Sequence, residues 1–288
     1  MHVITSGNEL GEGILWDDLD ERFYWTDIQG SKLWNCEPAG GELNSLSLPA
    51  RLASFALTDH PGKILAAFDT GLAVLSLVDG EVEWLCQPDM PSGVRFNDGR
   101  VDRSGRFIVG TMVEDQIAAG GANLGCLYRF EADGSLSELL SGIAISNGLC
   151  FSPDGNWLYH ADTPTRRLLA YSYETGIPNS PRLIREFKKG EGPDGACVDS
   201  EGNIWIAVWG GGRVECLTPD GETLRVIKVD AMQPTCPAFG GSDLSKLAIT
   251  SAWEGLAASR DSRPERAGDV FLVNSGVRGI AEPRVALG

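Results

Sequence analysis

A repeat with a period of 42 to 50 residues constrains this chain more than any local propensity does. Residues 16–27, 57–68, 101–111, 151–162, 198–209 and 239–251 each read as an acidic or polar turn followed by a run of aromatic and branched side chains. Taking Asp20, Gly62, Gly105, Gly155, Gly202 and Leu244 as the turn marks, the intervals are 42, 43, 50, 47 and 42. That is the length of a four-stranded propeller blade. A second hairpin follows in several copies, at residues 72–85, 127–140 and 214–227, each turning at Asp-Gly. Helical periodicity is hard to find, and short β-rich runs split by Gly, Asp, Asn and Pro replace it. The expected fold is all-β: a six-bladed β-propeller with four antiparallel strands per blade, one domain over residues 1–288. Val3-Ile4-Thr5 and Arg284-Val285-Ala286-Leu287 are expected to pair, hiding the free edges.

Composition excludes several functions. Forty acidic against 24 basic residues give a formal charge of -16, a field that repels phosphate backbones, so no nucleic-acid partner is expected. No stretch approaches the roughly 18 apolar residues that span a membrane. Met1-His2-Val3-Ile4-Thr5 lacks a basic start before an apolar run, so no signal peptide and a cytoplasmic location are expected. Seven scattered cysteines contain no C-x-x-C pair, which argues against a zinc cluster or a redox dithiol and for reduced core thiols.

Eight residues before each turn mark stand Glu12, Ser54, Asn97, Asn147, Asp194 and Cys236. In a propeller this position enters the innermost strand at one mouth of the central channel. Four of the six carry carboxylate or carboxamide oxygens. Convergent buried polar groups are costly unless paired, and a divalent cation with oxygen ligands offsets that cost. The plainer reading is that Asn and Asp simply make turns; recurrence in one register across six copies favours the metal.

With those residues in view, the chain resembles the gluconolactonase / senescence-marker-protein (regucalcin) family of sugar lactonases over almost its whole length. The resemblance rests on Gly11-Glu12-Gly13, Arg95-Phe96-Asn97-Asp98-Gly99 with Gly110-Thr111-Met112, Ile145-Ser146-Asn147-Gly148, Pro193-Asp194-Gly195 and Phe239-Gly240-Gly241. It implies one divalent metal (Ca, Zn, Mn or Fe(II)) held by Glu12, Asn147 and Asp194. It also implies that Arg95 and Asn97 bind substrate, together with an acidic residue after Gly-Thr-Met: Asp115 by spacing, or Glu114 next door. Ile14 departs from the family, which usually has Pro there.

The chemistry implied is hydrolysis of a sugar-acid (aldono-) lactone. The metal would polarise the ring carbonyl, and Asp194 would act as general base on the attacking water. Nucleophilic catalysis is disfavoured, since His2, His60 and His160 all fall off the ring and no G-x-S-x-G elbow occurs. Ser54 and Cys236 read as channel lining, and Trp25, Trp157 and Trp205 as blade packing. Trp209, before three glycines, is a candidate for stacking on a sugar face. Residues 113–123 read as a lid or as a plain connection. Two rivals stand: a metal-dependent phosphotriesterase or esterase on the same scaffold, and a non-catalytic binding module.

Overall fold

Local chemistry sets the turns first. The Asp199 carboxylate is fully buried, and its Oδ1 accepts from the backbone N–H of Glu201 and Asn203 at 3.0 and 2.9 Å. Asp102 does the same for Ser104 and Arg106 at 2.9 and 3.0 Å. Each carboxylate thereby closes a tight turn whose glycine, Gly202 or Gly105, takes a left-handed φ of 87° or 81°. The repeated acidic turn is thus a hydrogen-bonded device. In the first copy the left-handed residue is Glu21 (φ 52°), one place after Asp20, because that turn is a residue longer.

The computed structural model describes Met1–Leu287. Strand β1 (His2–Ile4) precedes six four-stranded antiparallel sheets. The first is β2 (Gly11–Asp17), β3 (Arg22–Asp27), β4 (Lys32–Cys36) and β5 (Leu43–Ser47). The second is β6 (Leu52–Leu57), β7 (Lys63–Phe68), β8 (Gly71–Ser76) and β9 (Val82–Cys86). The third is β10 (Val94–Val101), β11 (Phe107–Val113), β12 (Gly125–Phe130) and β13 (Leu136–Ile143). The fourth is β14 (Ser146–Phe151), β15 (Trp157–Asp162), β16 (Arg167–Ser172) and β17 (Asn179–Glu186). The fifth is β18 (Gly192–Val198), β19 (Ile204–Trp209), β20 (Arg213–Leu217) and β21 (Thr223–Lys228). The sixth, β22 (Gln233–Gly240), β23 (Lys246–Ala252) and β24 (Val270–Asn274), is completed by β1, with His2 opposite Leu272 and Ile4 opposite Val270. This is a six-bladed β-propeller, four antiparallel strands per blade. Among the described residues helix is confined to two 3-10 turns, Thr163–Thr165 and Arg260–Ser262.

The blades group into two units of dense internal contact. One holds Met1–Arg51 and Phe187–Ala281, carrying the first, fifth and sixth blades; the other holds Leu52–Glu186 and the tail from Glu282, carrying the second, third and fourth. In the first unit β22 packs against both β2 and β18; in the second β10 packs against both β6 and β14. Burial follows strand order. Every residue of β14, β18 and β22 is buried, whereas β21 is exposed at all positions but one. Apolar inner strands and polar outer ones follow from that gradient. Trp25 and Trp205 are fully buried; Trp205 meets Phe239 edge-on at 5.6 Å and gives its Nε1–H to Asp199 Oδ2 at 2.9 Å.

The expected pairing of the two chain ends is corrected. β1 takes the free edge of β24, and the C-terminal stretch goes elsewhere: Val285 bridges Thr58 in parallel and packs with Ala53 and Phe107 in the second unit. All seven cysteines are free thiols, six of them buried.

Candidate functional site

Ladder pairing breaks within two or three residues of the same position on the innermost strand of all six blades. The register slips between Glu12 and Leu15, Leu52 and Ser54, Phe96 and Gly99, Asn147 and Cys150, Pro193 and Ala196, and Pro234 and Pro237. Glu12, Ser54, Asn97, Asn147, Asp194 and Cys236 each stand at or inside one of these slips. A bulge releases side chains from strict alternation and re-aims them, and bulges gather next to active sites. The sequence register therefore marks a real backbone feature.

In the second unit the structure joins four of the singled-out residues into one hydrogen-bonded relay. Arg95, only 4 % exposed, gives its Nε–H to Glu114 Oε1 at 2.8 Å and its Nη1 hydrogens to Phe96 O at 2.9 Å and Asn97 Oδ1 at 3.0 Å. Because the guanidinium can only donate, the Asn97 oxygen must face it. The Asn97 Nδ2 hydrogens then go to Ser146 O at 2.9 Å and Asn147 Oδ1 at 3.1 Å. Asn147, 6 % exposed, passes its own Nδ2–H to Thr163 Oγ1 at 2.9 Å. The polarity of the relay fixes both amides and leaves Asn147 Oδ1 a second lone pair. Glu114 belongs to this relay and Asp115 does not: the exposed Asp115 carboxylate accepts from Ile117 N and Ala118 N within its own loop, both at 3.0 Å. In that loop a Cβ added at Gly120 or Gly121 would meet open space, and Ile117 is exposed.

In the first unit, Glu12 stands on β2 opposite Thr26, its Oε2 accepting from Gly13 N at 2.9 Å. Asp194 lies inside the bulge of β18 and is 4 % exposed. Thr235, in the bulge of β22, is bonded to Gly11 O and to Thr250 Oγ1, and so ties the backbone beside Glu12 to the sixth blade. Cys236 is fully buried, and a Cβ at Gly195 would lie 2.7 Å from its Sγ, so this thiol packs directly on the Pro-Asp-Gly backbone. Half-buried Trp209, paired with Gly192, packs on Leu10, Ile28 and Ala252.

Several residues shape the site through partners that the sequence did not reveal, although Asp98 and Ser146 stand inside the quoted motifs. Asp98 is buried beside Asn97 and accepts from Leu149 N at 2.9 Å, clamping the bulge of β14. Burial pushes its carboxyl up, against the pull of Arg100. Ser146 shares a 2.9 Å hydrogen bond with His160 Nε2, and burial pushes that imidazole down to about 4. Thr163 opens a 3-10 turn sixteen residues after Asn147. Nothing local in the sequence joins these partners.

The oxygen-only set Glu12, Asn147 and Asp194 fits a hard or borderline divalent cation by donor chemistry. Among the described residues no group of three His, Cys, Asp or Glu is placed to hold a metal, and this reading asks for none, since its third donor is an amide.

The fold and these motifs define a class: the SMP-30/Gluconolactonase/LRE-like region matches residues 10–253, and the chain belongs to that family. It is 38 % identical to the 6-deoxy-6-sulfogluconolactonase of Pseudomonas putida, over 99 % of this chain and 97 % of that one. It is 37 % identical to the L-arabinolactonase of Azospirillum brasilense, over 97 % and 93 %. The crystal structure of a calcium-binding regucalcin from Agrobacterium tumefaciens superposes with a TM-score of 0.89 at 32 % identity, covering 99 % of this chain and 97 % of that one.

Proposed function

We propose that the chain is a sugar-lactone hydrolase in which Glu12, Asn147 and Asp194 hold one divalent cation while Arg95, Asn97 and Glu114 orient the substrate. The observation that carries this reading is the Glu114–Arg95–Asn97–Asn147 relay, exposed at Glu114 and buried from Arg95 to Asn147, whose donors and acceptors are ordered without freedom to flip. Kinship with two lactonases supports the substrate class. The calcium-binding relative supports a divalent metal, with Ca first and Zn, Mn or Fe(II) also compatible with the donors.

A cation bound there supplies Lewis-acid polarisation of the lactone carbonyl. The chain's own groups do the rest. Asp194 takes a proton from the attacking water as the oxygen adds to the carbonyl carbon. The ring C–O bond then breaks, and the ring oxygen leaves as a hydroxyl carrying that proton. Arg95 spends Nε and Nη1 inside the protein; among the described residues no acceptor takes the Nη2 hydrogens, which makes Nη2 the donor to a lactone oxygen. The exposed Glu114 carboxylate, at the outer end of the relay, accepts from a sugar hydroxyl. An ester activated by ring closure needs no nucleophilic side chain, consistent with Ser54 and Cys236 being buried.

Each turnover makes a carboxylic acid that ionises at neutral pH, so a proton-release assay over pentono- and hexono-lactones tests the reading. Activity should vanish on stripping divalent metal and return on adding it, and Asp194→Asn should lower kcat by about 10²-fold or more. Organophosphate turnover without lactone turnover would transfer the site to the phosphotriesterase reading; full lactonase rate after stripping would sink the metal.

A further inference from the structure

His160 takes no part in the chemistry above, yet it is buried within the site's supporting layer. It stands on β15 across from the stretch of β14 where the ladder is interrupted, between the pairs Asn147–Ala161 and Cys150–Tyr159. Its Nε2 lies 2.9 Å from Ser146 Oγ, and both residues are buried. Ser146 is the junction of the relay: its carbonyl accepts one Asn97 Nδ2 hydrogen at 2.9 Å, and the other goes to the side chain of the next residue, Asn147, at 3.1 Å. The Ser146 hydroxyl has one place to go. It occupies the space over Gly110, where an added Cβ would lie 1.9 Å from Oγ, and His160 closes the other side. Beyond Asn147 the bulge interrupts the ladder that would otherwise hold the strand, and Ser146 is the residue directly before the ligand side chain.

We propose that the Ser146–His160 pair is a positioning device: by fixing the Ser146 hydroxyl it sets the carbonyl that Asn97 grips, and through Asn97 it aims the Asn147 oxygen. This deepens the lactonase reading and rests on it for its effect on metal and turnover, but the positioning itself is measurable without either. Packing alone would be served by any ring of similar size, so Phe at 160 should fill the space and fail in the role. Gln carries an amide to about the place of Nε2 and should restore it.

The side-chain amides of Asn97 and Asn147, assigned through Asn97→Ala and Asn147→Ala, report the positioning directly in ¹⁵N-labelled full-length protein. In the wild type both amide pairs should be shifted and slow to exchange with solvent. In His160→Phe and Ser146→Ala they should move toward free-amide positions and exchange faster, while His160→Gln keeps them. Titration with Mn²⁺ alone, followed by electron paramagnetic resonance, should show binding weakened about tenfold or more in His160→Phe and Ser146→Ala and nearly unchanged in His160→Gln. Unchanged amide signals in folded His160→Phe overturn the proposal; should that variant not fold, unchanged signals in Ser146→Ala do so. A wild type that takes up no Mn²⁺ counts against the cation reading, and the amide signals still decide the positioning.

Discussion

Arg95 concentrates three hydrogen bonds in one buried guanidinium, and no other side chain can copy their geometry. Arg95→Lys should therefore lower kcat/KM about tenfold or more with a modest loss of stability, because one ammonium cannot serve Glu114, Phe96 O and Asn97 together. Steady-state kinetics beside a thermal melt separates the two effects. His160 makes a stability prediction with a definite sign. Its folded pKa, about 4, lies below the ordinary 6.5, so the unfolded chain takes up the proton first. The stability it contributes is complete above pH 6.5 and is lost as pH falls toward 4. Between pH 7 and pH 5 the loss in urea unfolding should be smaller in His160→Gln than in the wild type by roughly 2 kcal/mol. At this scale the bulge positions of Glu12, Asn97, Asn147 and Asp194 were legible because each sits in a short motif at a repeated distance from a turn. The hydrogen-bond partners of Ser146, His160, Asp98 and Thr163 were not, because they are chosen by register across a bulge, which spacing along the chain does not encode.

Among the elements, β1 matters beyond its three residues. It covers the edge of β24 and buries Ile4 in the first unit's core with Ile14, Trp16 and Trp25. Removing residues 1–5 should cost about 3 kcal/mol, from one buried Ile, part of a Val and the lost ladder, and lower Tm by roughly 5–10 °C. A melt unchanged by the truncation would show that the sixth blade does not need its fourth strand. The blades themselves were readable from the acidic turns and the Asp-Gly hairpins, where Gly80, Gly134 and Gly221 all take left-handed φ. The placement of the C-terminal stretch was not readable. Its alternation suits an edge strand anywhere, and what decides is which edge is already covered: β24 is taken by β1, and Val285 finds its apolar contacts beside Thr58.

For the whole molecule, the period of the repeat carried the fold and the order of the motifs carried the family, both confirmed by the sheet order and the match over residues 10–253. That the two contact units unfold as one domain is our proposal, and calorimetry tests it: one transition with equal calorimetric and van't Hoff enthalpies is expected, and two separable transitions would divide them. The most direct test of the metal-dependent lactonase reading is elemental analysis of the purified protein beside Glu12→Gln, Asn147→Ala and Asp194→Asn, each assayed on the same lactone. The account predicts about one divalent cation per wild-type chain, and metal lost together with turnover in all three variants, since an open three-ligand site has no donor to spare. Variants that keep both the cation and the wild-type rate would contradict it.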